Sequence, residues 1–217
     1  MASTNINRPN GFRPVRYRDS SKYNGASVLY AFSASQANNA YVGDVVQFDS
    51  TNRATALTDV YAPGIALVAP VVAAVTTTAI RGVITGFVPQ PDFNMSPSAS
   101  LGLMYRVAST ARYVFVVDDY NVVFEAQEDG NDWVSASNNS IGKTGDIAYT
   151  AGSALTGVSG AQLDSSDFQT AAARPFKVLN LSQRVDNFGF TASDSLSYAK
   201  EDCMIINSDL AQGNVGA

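Results

Sequence analysis

Few residues of this chain could carry acid–base or nucleophilic chemistry. It has no histidine, and Cys203 is its only cysteine. Histidine is the usual acid, base or metal ligand near neutral pH, and a serine nucleophile needs a base beside it. Glu201 and Asp202 flank Cys203, and their negative charge raises the pKa of a thiol. We therefore predict that the protein is not an enzyme and that Cys203 is a small packing residue. A glycosidase that uses two carboxylates needs no histidine, so that class stays open.

Two short patterns resemble ligand sites. The run Ile141-Gly142-Lys143-Thr144 is like the end of a phosphate-binding loop, but Ser137 stands where the first glycine is required. A second pattern is a cluster of acidic residues without the alternating ligand spacing of a calcium loop. The cluster consists of Asp118, Asp119, Glu125, Glu128, Asp129 and Asp132. We predict no cofactor and no metal; a structural ion at a subunit interface remains an alternative.

Charge is distributed unevenly along the chain. The net charge is −5 and the isoelectric point is about 4.6, which argues against nucleic acid as a partner. Residues 1–22 nevertheless hold five basic residues against Asp19 alone, which leaves 9 basic and 18 acidic residues for the remainder. A basic segment on an acidic body suggests contact with an acidic partner surface. A solvated, frayed N-terminus is the alternative.

Residues 1–25 are predicted to form an extended arm. Arg8 and Arg13 each precede a proline, and a residue in that position is restricted to extended backbone. Phe12, Val15 and Tyr17 lie among the arginines and could dock on a surface. The N-terminal residues contain no apolar segment of the kind that a secretory signal needs, so we expect none.

The remaining sequence is typical of an all-β protein. Short β-branched and aromatic runs alternate with glycine, proline and asparagine. We predict a β-rich body over 26–207, with a sub-boundary at the proline- and serine-rich segment 89–100, and a C-terminal tail over 208–217. The uncharged stretch 61–80 contains Pro63 and Pro70, which favour two short buried strands over a membrane span. The predicted strands cover 27–32, 40–48, 65–69, 71–75, 80–88, 104–107, 112–117, 122–127, 146–149, 157–163, 177–181 and 204–206.

Two local patterns give sharper expectations. Residues 112–117 and 122–127 are β-branched and aromatic runs around the polar turn Asp118-Asp119-Tyr120-Asn121, which predicts a β-hairpin. The segment 165–173 begins with Ser-Ser-Asp, a helix-capping pattern, and continues with Phe, Gln and Ala. It is the one place where we predict a short helix.

Four motifs, in their order along the chain, resemble a family of tailed-bacteriophage virion proteins, the capsid decoration or cement proteins. They are NINRPNGFRPV (5–15), YVGDVV (41–46), GVITGF (82–87) and VVDDYNVVFEAQED (116–129). The resemblance covers about residues 5–130 and brings no catalytic residues with it.

The resemblance implies a β-sandwich or jelly-roll-like protein that forms a homotrimer and stabilises the assembled capsid from outside. Its expected location is the virion surface, after synthesis in the host cytoplasm. The expected partners are the major capsid protein and the chain itself, without nucleic acid or membrane. The candidate capsid-binding residues are Arg8, Phe12, Arg13, Arg16, Tyr17 and Arg18. A head-fibre or tail protein that binds a receptor or glycan is the alternative, with Trp133 and Tyr120 as its candidate aromatic platform.

Overall fold

The computed structural model of the protein describes residues 5–51, 65–73, 78–88, 104–130, 140–170, 174–187 and 197–211. Every helix-or-strand element in these ranges is a β-strand, so the all-β prediction is confirmed. The strands are β1 (Arg13–Tyr17), β2 (Val28–Phe32), β3 (Ala40–Tyr41), β4 (Val45–Phe48), β5 (Val68–Pro70), β6 (Gly82–Phe87), β7 (Tyr105–Arg106), β8 (Arg112–Val117), β9 (Val122–Gln127), β10 (Thr144–Ala148), β11 (Gln162–Gln169), β12 (Phe176–Leu181) and β13 (Lys200–Ile205). Within the same ranges there is no long apolar helix of the kind that crosses a membrane.

The strands form two main antiparallel sheets. One has six strands in the order β1-β9-β13-β12-β10-β11, and the other has five in the order β2-β8-β6-β4-β5. The short strands β3 and β7 pair separately. The main hydrophobic cluster draws side chains from both large sheets, including Phe124 and Phe176 from one and Val83 and Val117 from the other. This arrangement is consistent with a β-sandwich.

The five-stranded sheet is buried on both faces over much of its area. Val117 belongs to the cluster between the sheets, whereas Val114, Val116 and Ile84 belong to a second cluster on the opposite face. Successive strand residues point to opposite faces, so a strand covered on both sides needs an unbroken apolar run. That requirement explains why β8 and β4 are largely apolar and lack a clean alternation.

The predicted hairpin between β8 and β9 is wrong, although both strands have the predicted bounds. The chain leaves the five-stranded sheet after β8 and enters the six-stranded sheet at β9. Each strand already has two neighbours in its own sheet, β2 and β6 for β8 and β1 and β13 for β9. The polar turn at 118–121 therefore connects the two layers of the sandwich.

The predicted helix at 165–173 is also wrong, because residues up to Gln169 belong to β11; residues 171–173 lie outside the described ranges. Leu163 pairs with Ile147 of β10 and is fully buried, which fixes the strand in the sheet. The capping-type side chains bond locally within the extended chain: Ser166 Oγ donates to Asp164 Oδ1 at 2.5 Å. Sheet pairing thus overrides a weak helical pattern.

The two glycines of β6 have different roles. A Cβ on Gly82 would lie 2.2 Å from the carbonyl oxygen of Val117, so the strands approach too closely for any other residue. The register between β6 and β8 shifts between Ile84 and Gly86, which is a β-bulge.

The proposed sub-boundary at 89–100 lies outside the described residues. The first residues of the predicted tail contact the body, since Asp209 forms an ion pair with Arg81 at 2.7 Å.

Candidate partner-binding surface

The N-terminal segment is extended, and part of it is built into the sandwich. Gly11 adopts a φ of +65° and crosses Gly43 so closely that a Cβ would lie 2.5 Å from the Gly43 carbonyl oxygen. That oxygen accepts a hydrogen bond from the Phe12 N–H at 2.9 Å. Residues 13–17 then form β1, an edge strand paired with β9. The expectation of an arm separate from the body is therefore corrected for residues 11–17.

The two aromatic residues predicted to contact a partner hold this edge strand in place. Phe12 is only 1% exposed and stacks on Phe176, with ring centroids 4.5 Å apart. Its side chain cannot reach a partner, so Phe12 is removed from the candidate surface. Tyr17 is half-buried; its hydroxyl donates to Asn24 Oδ1 at 2.8 Å, and its ring lies 5.9 Å from that of Tyr23.

The basic residues, in contrast, remain at the surface along and beside β1. The side chains of Arg8, Arg13 and Arg18 are exposed. Backbone hydrogen bonds fix two of these positions: the Arg8 N–H donates to Gln127 Oε1 at 2.9 Å, and the Arg18 N–H donates to the Asn121 carbonyl at 2.8 Å. We refer to the following set as the basic strip: Arg8, Arg13, Arg16, Arg18 and Lys22.

Arg16 and Lys22 lie side by side in this strip because the chain turns back after β1. The Tyr17 N–H donates to the Ser21 carbonyl at 2.8 Å, and Arg16 and Lys22 form an antiparallel bridge. Arg16 is half-buried, and its guanidinium lies 3.3 Å from Asp202 of β13. The structure thus brings together the arginines that the sequence indicated and adds a carboxylate 186 residues away.

A polar groove of about 470 Å³ lies next to the strip on the six-stranded sheet. Its lining comes from β1, β9, β12, β13 and the residues after β12: Val15, Arg16, Glu125, Asn180, Leu181, Ser182, Gln183 and Asp202. Glu125 accepts a hydrogen bond from Ser182 Oγ at 2.6 Å and pairs with Arg184 at 3.0 Å. Sequence reasoning missed this groove because its residues come from distant strands and form no local motif.

Arginines form ion pairs with the carboxylates of this groove and offset their negative charge. Burial raises the pKa of Asp202, and the bond to Arg16 opposes that rise. Outside the groove, Lys200 and Arg184 hydrogen-bond to Asp186 and hold its pKa far below the ordinary value. Arg184 has a raised pKa, chiefly because it bonds to Asp186. The groove is therefore charged but nearly neutral, whereas the adjacent basic strip carries excess positive charge.

The other candidate sites have structural explanations in the described residues. Glu128 is fully buried and accepts hydrogen bonds from the backbone N–H groups of Gly130 and Ala199, so it closes a turn. Cys203 is fully buried in the main core, which confirms the packing role, and burial raises its thiol pKa well above the ordinary value. Lys143 lies in the tight turn before β10, where its N–H donates to the Ser140 carbonyl.

The metal and glycan candidates fall partly within the residues that the structure describes. There, no group of three or more histidine, cysteine or carboxylate residues could hold a metal ion. Asp132 and Trp133 lie outside the described residues. Tyr120 is 44% exposed, in the connection between the two sheets.

No protein-family model, curated protein or solved structure matches this chain.

Proposed function

We propose that this protein is a structural virion protein that binds the assembled capsid of a tailed bacteriophage and stabilises it. It would act at the capsid surface as a homotrimer, after synthesis in the host cytoplasm, with the major capsid protein as its partner. Binding to the assembled lattice alone would stabilise that lattice by mass action. Several copies of the contact in each trimer would strengthen it through multivalency.

One observation carries this proposal: an acidic chain presents its exposed arginines together on a rigid edge. Arg13 begins β1, Arg8 and Arg18 lie beyond its two ends, and all three are exposed, while Phe12 next to the strand is buried in the core. A preorganised basic surface binds an acidic partner at a lower entropic cost than a free tail does. The position of the strip therefore supports docking by a surface fixed to the body, in place of the separate extended arm suggested by the sequence.

The remaining features support a role in binding without catalysis. The chain has no histidine, and the carboxylates of the adjacent groove, Glu125 and Asp202, are held by arginines. Such paired carboxylates are poor general bases because proton uptake would break an ion pair. We accordingly propose no enzymatic activity, no cofactor and no nucleic-acid or membrane partner.

The direct test measures binding to capsids that lack this protein. Deleting the whole segment would remove an edge strand and Phe12, so charge reversal is the cleaner change. We expect the Arg13→Glu, Arg18→Glu double variant to bind at least about tenfold more weakly, because close interfacial charge pairs are each worth on the order of 1 kcal/mol or more.

Lys177→Glu is the matched control. Lys177 is exposed on β12, which lies three strands away from β1 in the same sheet. We expect this variant to bind capsids as the wild type does. Equal binding by the double variant and the wild type would overturn the role of the basic strip.

A second test measures the copy number in purified virions by quantitative mass spectrometry. A ratio near one copy per coat subunit would support a lattice-wide decoration protein. A few tens of copies or fewer would instead point to a fibre or tail protein, and absence from virions would overturn the proposal.

A further inference from the structure

Three of the four outer edges of the two large sheets carry features that block strand addition. β1 contains Pro14, which lacks an N–H, and a bulge between Pro14 and Arg16, and its far end is covered by the bridge to Lys22. β11 carries Asp164 and Asp167. β5 has only three residues and ends at Pro70. Prolines, charges, bulges and short strands are the common means of protecting an edge.

The fourth edge, β2, is covered only in part, where Ala31 bridges in parallel to Leu67 just before β5. Its five residues, VLYAF, contain no proline and no charge, and it pairs with β8 without a register shift. Among the described residues, its outer side is occupied only near its end, where the Ala31 N–H donates to the Ala66 carbonyl at 3.1 Å. Backbone groups alternate in direction along a strand, so those of Leu29 point to the same outer side. In the described part of the chain no residue pairs with them.

Exposed apolar side chains surround this open edge. Leu29 lies opposite Phe115 of β8, and each is 38% exposed; Val28 is 47% exposed on the other face. On its far side Phe115 is opposite Gly86, which has no side chain to cover the ring. Three large apolar side chains beside backbone groups that no described residue pairs form a surface that gains stability when another chain covers it.

The charge pattern favours a second copy of this chain as that partner. From Tyr23 to Gly43 the sequence contains no charged residue. The charged residues at the two ends of β8, Arg112 and Asp118, have partners within the chain. The Arg112 guanidinium lies 5.0 Å from the Phe87 ring centroid, and Asp118 accepts a hydrogen bond from the Tyr30 hydroxyl at 2.7 Å. Identical residues converge around the symmetry axis of a homo-oligomer, so charges there would repel one another.

We propose that the β2 edge, with Leu29, Val28 and Phe115, is the surface through which copies of this protein associate. A neutral edge fits its own copy, whereas an acidic coat surface would be recognised by cations, which β2 lacks. This inference rests on the proposed function, because it specifies the contact inside the homotrimer. Its test uses the purified protein without capsids, so failure of self-association and failure of capsid binding are observed separately.

The experiment measures the molar mass of the full chain by light scattering over a concentration series. We expect the wild type to be a trimer. We expect Leu29→Lys to raise the dissociation constant at least about tenfold, since a buried, unpaired ammonium is strongly unfavourable in an apolar contact. Leu155→Lys is the matched control, because Leu155 is 95% exposed, and it should assemble as the wild type does. A monomeric wild type, or an unchanged Leu29→Lys, would overturn the proposal.

A second variant tests the same contact in case Leu29→Lys fails to fold. Leu29→Cys keeps a small apolar side chain, and the native Cys203 is fully buried. Diamide takes up two electrons and two protons from the introduced thiols of two copies, and a disulfide joins them. We expect covalent dimers for Leu29→Cys and none for Leu155→Cys. The same low yield from both variants would place Leu29 outside the interface.

Discussion

The edges formed by β1 and β2 present opposite surfaces to solvent. The β1 edge is charged, contains a proline and is closed by its own chain at Lys22. The β2 edge is neutral and, among the described residues, unpaired at Leu29, which is 38% exposed. Charged side chains with blocked backbone groups favour contact through electrostatics, while free backbone groups with apolar side chains favour strand addition.

The two edges also differ in how firmly they are tied to the core. β1 is preceded by Phe12, whose ring is stacked inside the sandwich, whereas the aromatic residue beside β2, Phe115, is partly exposed. An aromatic side chain thus serves as an anchor at one edge and as a contact surface at the other. The two proposed contacts therefore use separate edges of the molecule.

The largest effect should come from removing each aromatic side chain in turn. Phe12→Ala leaves a cavity against Phe176 and should lower the free energy of unfolding by about 3–5 kcal/mol. Phe115→Ala removes a ring that is already partly hydrated, so its cost should be about 1–2 kcal/mol in the dissociated protein. Chemical denaturation of both variants at low protein concentration measures the difference. Equal losses would contradict the distinction between anchor and contact surface.

The sequence predicted the bounds of strands better than it predicted which strands pair. The bounds of Arg112–Val117 and Val122–Gln127 follow from their β-branched and aromatic runs. Their pairing does not, because the choice between a hairpin and a crossing to the other sheet depends on distant strands. The full length of β11 was missed for a similar reason, since its pairing with β10 outweighs the helix-capping pattern at Ser165.

The same limit applies to the candidate surface. The exposure of Arg8, Arg13 and Arg18 agrees with what charged residues ordinarily do. The burial of Phe12 could not be predicted, because its stacking partner is Phe176, in a distant strand. An apolar residue between arginines has the same local pattern whether it faces a partner or the core.

The second-largest predicted effect is a pH dependence of the free energy of unfolding. It comes from Asp44, which lies where the segment before β1 is attached to the body. Asp44 follows Gly43, over which Gly11 crosses, and burial raises its pKa to about 6, opposed by hydrogen bonds from Ser159 and the Tyr41 N–H. The ordinary pKa is 3.8, so between these values the native state holds a proton that the unfolded state has lost. Stability should therefore fall as pH rises from about 4 to 6, by up to about 3 kcal/mol from this group, and then level off.

Asp44→Asn isolates that contribution. The amide oxygen can still accept the hydrogen bond from Tyr41, but it does not titrate. We expect the variant to lose this component of the pH dependence in denaturation curves measured between pH 4 and 7. A slope identical to that of the wild type would mean that Asp44 titrates normally in the folded protein. Glu128, whose pKa burial also raises, remains in both proteins and so cancels in the comparison.

The smallest predicted effect is that of salt, which should weaken binding through the β1 edge but not self-association through the β2 edge. Ions screen contacts of the exposed basic strip, since the screening length falls from about 10 Å at 0.1 M to about 3 Å at 1 M salt. Capsid binding should therefore weaken by about tenfold or more across that range. Self-association through Leu29 involves no charges and should hold or strengthen, as apolar contacts are not screened. Sedimentation of capsid mixtures and light scattering of the protein alone, in matched buffers, measure the two responses. If both fell together, the neutral edge would not be the self-association surface, because only charged contacts are lost in this way.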